Sequence, residues 1–184
     1  HTSWGPLSNG VTLVGIPLKD SCMQVAHYPC QVNSTAFESK IQRLKSITDN
    51  LAPKLHWWIT EAWPPNWKHH TSHCHNPGWP NTGGCIDVNL HNQATLGFDG
   101  VTQRNPQNYA LFVKAISDAG FTSFKLEVGT DNAGVPCKTT PNQCQAKALE
   151  IRDAINILTG ASGLSSHVII NANATGDHIH INHP

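Results

Sequence analysis

Apolar side chains recur at steps of three and four residues in three separate segments, the spacing of one buried face of an α-helix. The first segment begins at Thr35, which together with Glu38 fits a capping box, and it ends before Pro53. In the second, Pro106 suits the first position of a helix. The pattern therefore predicts three helices, at residues 35–51, 105–120 and 141–160.

Short runs rich in β-branched and aromatic residues predict strands between and after these helices. They occupy residues 11–14, 56–60, 85–88, 124–128, 167–171 and 178–181. Strands mixed with helices in this order predict an α+β fold class, a single domain with about three helices and a small, mostly antiparallel sheet. Residues 1–34 show no sustained period, so we expect a loop-rich segment packed on a domain of residues 35–184.

Length and charge exclude two classes of function. The chain has 184 residues, which is enough for one domain with its own core. Lysine plus arginine and aspartate plus glutamate both total 12, so the net charge is zero with neutral histidine. This balance argues against a nucleic-acid binder that neutralises phosphates. No apolar run approaches the roughly 20 residues that cross a bilayer, so we expect no membrane span.

The cysteines and two N-glycosylation sequons indicate the compartment in which the protein functions. Six cysteines fall as three close pairs, and the short loops between neighbours favour the local disulfides Cys22–Cys30, Cys74–Cys85 and Cys137–Cys144. Asn33 and Asn173 each begin a sequon, which accepts an N-linked sugar where the host has the machinery. Together with the low charge, these features indicate a secreted, disulfide-bonded glycoprotein.

Histidine is frequent, with 12 residues, and it is clustered. One loop carries four of them and the last seven residues carry three: His69, His70, His73, His75, His178, His180 and His183. Asp87 follows the first cluster on a predicted strand. Two imidazoles and a carboxylate can hold a catalytic zinc ion and leave its fourth position open. The alternative is that histidine serves here as a neutral polar surface residue.

Alternation along strands predicts which side chains share a face. A strand places residues i and i+2 on one side, so we expect His178 and His180 to point the same way and Asp177 to point the other way. The same rule places Trp57 and Trp58 on opposite faces, with at least one of them in the core.

Several segments resemble the D-Ala-D-Ala metallopeptidase superfamily, which contains bacterial peptidoglycan carboxypeptidases and endopeptidases and the hedgehog signalling domain. The resemblance rests on residues 59–65, 74–75, 81–87, 126–128 and 178–180. These occur in the family's order and span about residues 35–184. The resemblance therefore implies a hedgehog-like or D-Ala-D-Ala-peptidase-like zinc fold.

The resemblance also implies roles for individual residues. It implies a zinc ion held by His75, Asp87 and His180, with His73 as a competitor for the first position. It implies that His178, beside the metal, donates a hydrogen bond to the oxyanion that develops during hydrolysis. The disulfide from Cys85 to the residue before His75 fits the same arrangement.

The chain departs from the family at three places. Eleven residues separate His75 from Asp87, a longer spacing than family members usually have. The glutamate that usually precedes the last histidine as general base is missing, which leaves Asp177 or Glu127 to move the proton; Glu127 is alternatively a residue that orients a ligand. The arginine that usually holds a substrate carboxylate is also missing, and Lys68 is the nearest cation.

Tryptophans are concentrated near the predicted site. Five of the six fall within residues 57–79. Those in the Pro-rich loops, among them Trp63 and Trp79, are candidates to line a groove for sugar rings or peptide. The alternative is that they anchor a long loop by apolar packing.

Pattern and resemblance together favour a secreted zinc metallopeptidase that hydrolyses bacterial cell-wall peptides, as a D-Ala-D-Ala-type carboxypeptidase or endopeptidase. The alternative is a catalytically inactive extracellular module that keeps zinc for stability and binds glycan or protein, or assembles into a surface structure. A third hypothesis is a copper monooxygenase that chelates copper through His1 if that residue is the true N-terminus.

Overall fold

Three α-helices form where the sequence predicts them in the computed structural model, which describes residues 6–19, 30–64, 73–75, 80–91 and 103–184. They are α1 (Thr35–Asp49), α2 (Pro106–Asp118) and α3 (Pro141–Thr159). Ser34 caps α1, one residue before the predicted Thr35, and its Oγ accepts a hydrogen bond from the backbone N–H of Phe37 at 3.1 Å. Two short 3₁₀ turns lie at His73–His75 and Leu164–His167.

The described strands form two sheets. A small one pairs β1 (Val11–Thr12) with β2 (Gln31–Val32) in antiparallel fashion. The main sheet contains β3 (Trp57–Glu61), β4 (Cys85–Leu90), β5 (Ser123–Val128), β6 (Val168–Ile170) and β7 (His178–Asn182). Its strand order is β3-β4-β7-β5-β6, and every pairing is antiparallel except that of β5 with β6. The fold is therefore α+β with a mostly antiparallel sheet, as predicted.

The main sheet buries one face because successive side chains of a strand point to opposite sides. On this face, β4 contributes Ile86, Val88 and Leu90, and β7 contributes Ile179 and Ile181. They share one core with apolar residues of all three helices, among them Phe37, Phe112 and Ile151. The opposite face, which we call the cleft face, carries polar residues: Thr60, Asp87, Asn89, Lys125, Glu127, His178, His180 and Asn182.

The described part of the N-terminal segment packs into the same core, where Leu13 and Ile16 are buried. The two adjacent tryptophans of β3 separate as alternation predicts. Trp57 is buried, with its ring centroid 5.8 Å from that of Phe112. Trp58 lies on the other side and lines the cleft.

Two strand ends differ from the prediction by two residues, and the other predicted strand ends agree to within one residue. β4 continues to Leu90 although the pattern indicates an end at Val88, because the polar residue Asn89 is buried with its hydrogen bonds satisfied. The Asn89 Oδ1 atom accepts a hydrogen bond from the hydroxyl of Tyr109 at 2.9 Å. β1 is shorter than predicted and ends at Thr12.

Two of the three predicted disulfides are confirmed, Cys74–Cys85 and Cys137–Cys144. Cys30 is also disulfide-bonded, and its predicted partner Cys22 lies outside the described residues. In the part of the chain that the structure describes, no helix is long and apolar enough to cross a membrane. Disulfides of this kind persist in oxidising compartments and fit an extracellular protein.

Candidate metal centre

The structure brings His75, Asp87 and His180 together on the cleft face. β4 and β7 pair with Asp87 directly opposite His180, which places the two side chains about 5 Å apart at their Cβ atoms. His75 comes from a separate 3₁₀ turn, and the preceding Cys74 is bonded to Cys85 at the start of β4. Strand register and one disulfide therefore assemble three residues from distant parts of the chain.

Asp87 lies between the two imidazoles. Its Oδ1 atom is 2.7 Å from His180 Nδ1, and its Oδ2 atom is 3.4 Å from His75 Nε2. One donor atom from each residue lies within 4.8 Å of the other two. Donors bound to tetrahedral zinc at about 2.0–2.1 Å are themselves about 3.3 Å apart, so small side-chain rotations bring all three around one ion.

The charge of this cluster suits a cation. Burial alone raises the pKa of Asp87, but hydrogen bonds from His180 and His75 outweigh this and hold that pKa well below its usual range. Burial alone lowers the pKa of His75, but Asp87 beside it outweighs this and raises it. Asp87 is therefore ionised at neutral pH, and an ion that binds here would replace the hydrogens that the two imidazoles direct at this carboxylate.

A second set of close donor atoms comes from Cys74, Cys85 and His180. Because the two sulfurs are joined in a disulfide, they are not the thiolates that bind metals. Cys85 Sγ lies 3.4 Å from His75 Nδ1, and Cys74 Sγ lies 4.0 Å from His180 Nε2. The disulfide thus packs against both imidazoles, and this cluster offers an ion only nitrogen and oxygen donors.

Glu127 and His178 form an ion pair beside the three candidate ligands. They are partners in the β5–β7 register, and His178 Nε2 is 2.6 Å from Glu127 Oε2. Asn171 Nδ2 donates to the other oxygen, Oε1, at 2.9 Å. The hydrogen bond from His178 lowers the pKa of Glu127. Burial alone lowers the pKa of His178, but Glu127 and Asp87 outweigh this and raise it to about 9.

Asp177, the other residue predicted to move a proton, makes its contacts away from this cluster. Its Oδ2 atom is 2.5 Å from Lys147 Nζ, and each of the two side chains is only 9% exposed. Its Oδ1 atom accepts hydrogen bonds from the backbone N–H groups of Gly129 at 2.8 Å and Thr130 at 3.1 Å. These contacts tie the start of β7 to α3 and to the end of β5. The geometry therefore favours a structural role for Asp177.

The candidate centre lies in a cleft of about 910 Å³. Among the described residues, three cations line the cleft, Lys19, Arg104 and Lys125, and Lys125 is directly opposite His180 in the sheet. Trp58 adds an aromatic surface. Sequence reasoning missed these four residues. The alternation of β5 could have placed Lys125 on this face, but the other two cations lie in loops, where the sequence has no period to reveal them.

Of the residues predicted to contact substrate, one is buried and the others lie outside the described residues. Trp63 is only 5% exposed, so little of its ring is available to a ligand. Trp79, Lys68 and His1 lie outside the described residues. His73 begins the 3₁₀ turn that contains His75, and its side chain is outside the described part as well.

The two predicted glycosylation sites differ in how freely the asparagine side chain could carry a sugar. Asn33 Nδ2 donates hydrogen bonds to Asn81 Oδ1 at 3.1 Å and to the carbonyl of Thr82 at 3.2 Å. An N-linked sugar would replace one of the two hydrogens on this nitrogen, so at least one of these hydrogen bonds would be lost. Asn173 is exposed at the rim of the cleft. The folded chain therefore accommodates a sugar more readily at Asn173.

The chain matches no protein-family model, no curated protein and no solved structure. What can be said of its chemistry therefore rests on the geometry of its own residues and on the short motifs described above. The likeness to the D-Ala-D-Ala metallopeptidases stays a prediction from sequence.

Proposed function

We propose that this protein is a secreted zinc-dependent hydrolase that cleaves peptide bonds in bacterial cell-wall peptides. The observation that carries the proposal is the meeting of His75, Asp87 and His180 in an open cleft, beside the Glu127–His178 ion pair. The choice of cell-wall peptides as substrate is supported by the resemblance of the sequence motifs to the D-Ala-D-Ala metallopeptidase superfamily.

The donor set fits zinc. Two imidazoles and one carboxylate are a ligand set of catalytic zinc sites, and they leave one position open. Calcium and magnesium prefer sites made of oxygen donors alone, and the disulfide removes the thiolates that softer ions prefer. When bound, zinc supplies a Lewis acid that polarises a carbonyl group and lowers the pKa of water to about 7.

Glu127 and His178 are the proton-transfer residues in this proposal. Asn171 and His178 hold the two oxygens of the Glu127 carboxylate in place, and this carboxylate is ionised at neutral pH. An ionised carboxylate at the cleft can accept a proton from the attacking water. His178, held by Glu127 at 2.6 Å and facing the cleft, is placed to stabilise negative charge that develops nearby.

The cleft walls suit a peptide that carries a carboxylate. Arg104 is fixed by a hydrogen bond from its Nε to the carbonyl of Leu90 at 2.7 Å, and guanidinium groups bind carboxylates well. Lys125 adds a second positive charge opposite His180. Trp58 offers an apolar surface for a side chain or a sugar ring.

The proposal is tested by hydrolysis of purified muropeptides by zinc-loaded protein, with the products identified by mass spectrometry. We expect Glu127→Gln to retain zinc and to lose about a hundredfold to ten-thousandfold in rate, which is the usual contribution of a general base. Glu150→Gln, on the exposed side of α3, is the matched control and should retain the wild-type rate.

Two results would contradict the proposal. If the zinc-loaded wild type cleaves no muropeptide, the protein is better explained as the inactive extracellular module. Hydrolysis at an unchanged rate in Glu127→Gln would remove the Glu127–His178 pair from the mechanism.

A further inference from the structure

Asn182 lies two residues after His180 on β7, so both side chains are on the cleft face. The Asn182 Oδ1 atom is 3.0 Å from His180 Nε2. On the other side of the same ring, His180 Nδ1 is 2.7 Å from Asp87 Oδ1. The imidazole is therefore held at both nitrogens, with one facing an amide and the other facing the carboxylate.

The chemistry of these partners assigns the two ring nitrogens. An amide oxygen only accepts hydrogen bonds, so Nε2 must carry the hydrogen that it donates to Asn182. A neutral imidazole with its hydrogen on Nε2 has its lone pair on Nδ1. Nδ1 faces the Asp87 carboxylate, which also only accepts hydrogen bonds, so a metal ion would bind Nδ1 by displacing the hydrogen that this nitrogen donates to Asp87.

We propose that Asn182 is a positioning residue of the candidate metal centre, and that it selects Nδ1 of His180 as the ligating atom. This inference rests on the proposed zinc site and adds a residue and a ligating atom to it. Histidine ligands commonly donate their second N–H to an oxygen acceptor, which fixes the ring and strengthens the ligand.

The other histidine presents the opposite nitrogen. His75 Nε2 faces Asp87 Oδ2 at 3.4 Å, and His75 Nδ1 lies 3.4 Å from Cys85 Sγ. The two rings are nearly perpendicular, with an interplanar angle of 84°. The centre therefore combines Nε2 of His75 with Nδ1 of His180, and the role of Asn182 is specific to the second ring.

Zinc affinity tests the proposal directly. The protein is titrated with zinc against a competing chromophoric chelator in the wild type and in two variants. Asn182→Leu has a side chain of similar size without an acceptor, and we expect its zinc affinity to fall about tenfold to a hundredfold. Asn182→Asp restores an oxygen acceptor, and we expect it to bind zinc at least as tightly as the wild type.

The control variant is Asn142→Leu, an exposed asparagine in the first turn of α3 that does not line the cleft. It should bind zinc like the wild type. Thermal unfolding of all the variants without zinc separates a loss of affinity from a loss of folded protein. If Asn182→Leu does not fold, Asn182→Asp and the spectroscopic measurement on the wild type carry the test.

Nuclear magnetic resonance gives a readout that a purely structural role would not move. Long-range proton–nitrogen correlations of His180 in the zinc-loaded wild type should show a hydrogen on Nε2 and the ion on Nδ1. Ligation through Nε2 would overturn the inference, as would wild-type affinity in Asn182→Leu. If the wild type binds no zinc at all, the proposed function fails as well, so the two failures are distinguishable.

Discussion

Asp177 and His178 are adjacent in the chain and both line the cleft, yet their side chains have different partners. His178 faces Glu127 on the cleft face, whereas Asp177 pairs with Lys147 from the buried side of α3. A buried carboxylate is tolerated when a partner charge and further hydrogen bonds satisfy it, and Asp177 has both. This arrangement fixes the start of β7, the strand that carries His178 and His180.

Removal of Lys147 should therefore destabilise the fold. In Lys147→Met the Asp177 charge stays buried without its cation, and we expect the free energy of unfolding to fall by about 3–5 kcal/mol. Urea denaturation measures this change. Lys114→Met is the matched control, because Lys114 pairs with Asp118 in an exposed ion pair worth about 0.5 kcal/mol or less. An equal loss in both variants would contradict the account.

Single residues were predictable from sequence where the strand period decides their position. The placement of His178 and His180 on one face follows from alternation alone, whereas Asp177 lies before the start of β7, where alternation does not decide its contacts. Lys147 was not predictable as the partner of Asp177, because the two are 30 positions apart in the chain and lysines on helices are usually solvated. The cap of α1 was misplaced by one residue because Ser34 and Thr35 are both good N-caps.

At the scale of elements, the candidate centre depends on how β4, β7 and the His73–His75 turn are joined. The β4–β7 register sets Asp87 against His180, and the Cys74–Cys85 disulfide ties the turn to the start of β4. His75 directly follows the first cysteine of this disulfide. The disulfide therefore limits how far His75 can move from Asp87.

Loss of this disulfide should weaken zinc binding. A disulfide that closes a loop of about this length stabilises the fold by up to about 3 kcal/mol, because it restricts the unfolded chain. A difference of about 1.4 kcal/mol in binding free energy corresponds to a tenfold change in affinity. We expect the double variant Cys74→Ala/Cys85→Ala to bind zinc about tenfold to a hundredfold more weakly in a calorimetric titration. Cys137→Ala/Cys144→Ala removes a disulfide that does not line the cleft, and it should keep the wild-type affinity. Equal affinities in the two double variants would argue against the disulfide as a clamp.

The elements themselves were largely predictable, and their pairing was not. Helical periodicity and punctuation by proline and glycine located α1, α2 and α3 to within a few residues. The contact between Asp87 and His180 joins residues 93 positions apart, and no local pattern determines such a register. The clustering of histidine around Asp87 suggested a zinc site in general, and only the family resemblance selected His75, Asp87 and His180 as its ligands.

At the scale of the whole molecule, the two faces of the main sheet have different roles, one in the core and one in the candidate site. The helices cover one face and form the core with it, while the cleft face holds the ionisable residues. Rigid strands therefore carry Asp87, Glu127, His178 and His180, which favours a preformed site over one assembled by the ligand. An ion that binds only the folded chain also stabilises it, so the proposed centre couples zinc binding to stability.

The most direct test of this account is a calorimetric titration of chelator-treated protein with zinc. We predict one zinc ion per chain in the wild type and no measurable binding in Asp87→Asn, which has the same shape without the charge. Asp118→Asn, at an exposed position on α2, should bind like the wild type. A wild type that binds no zinc, or an Asp87→Asn variant that binds it as tightly as the wild type, would contradict the central claim.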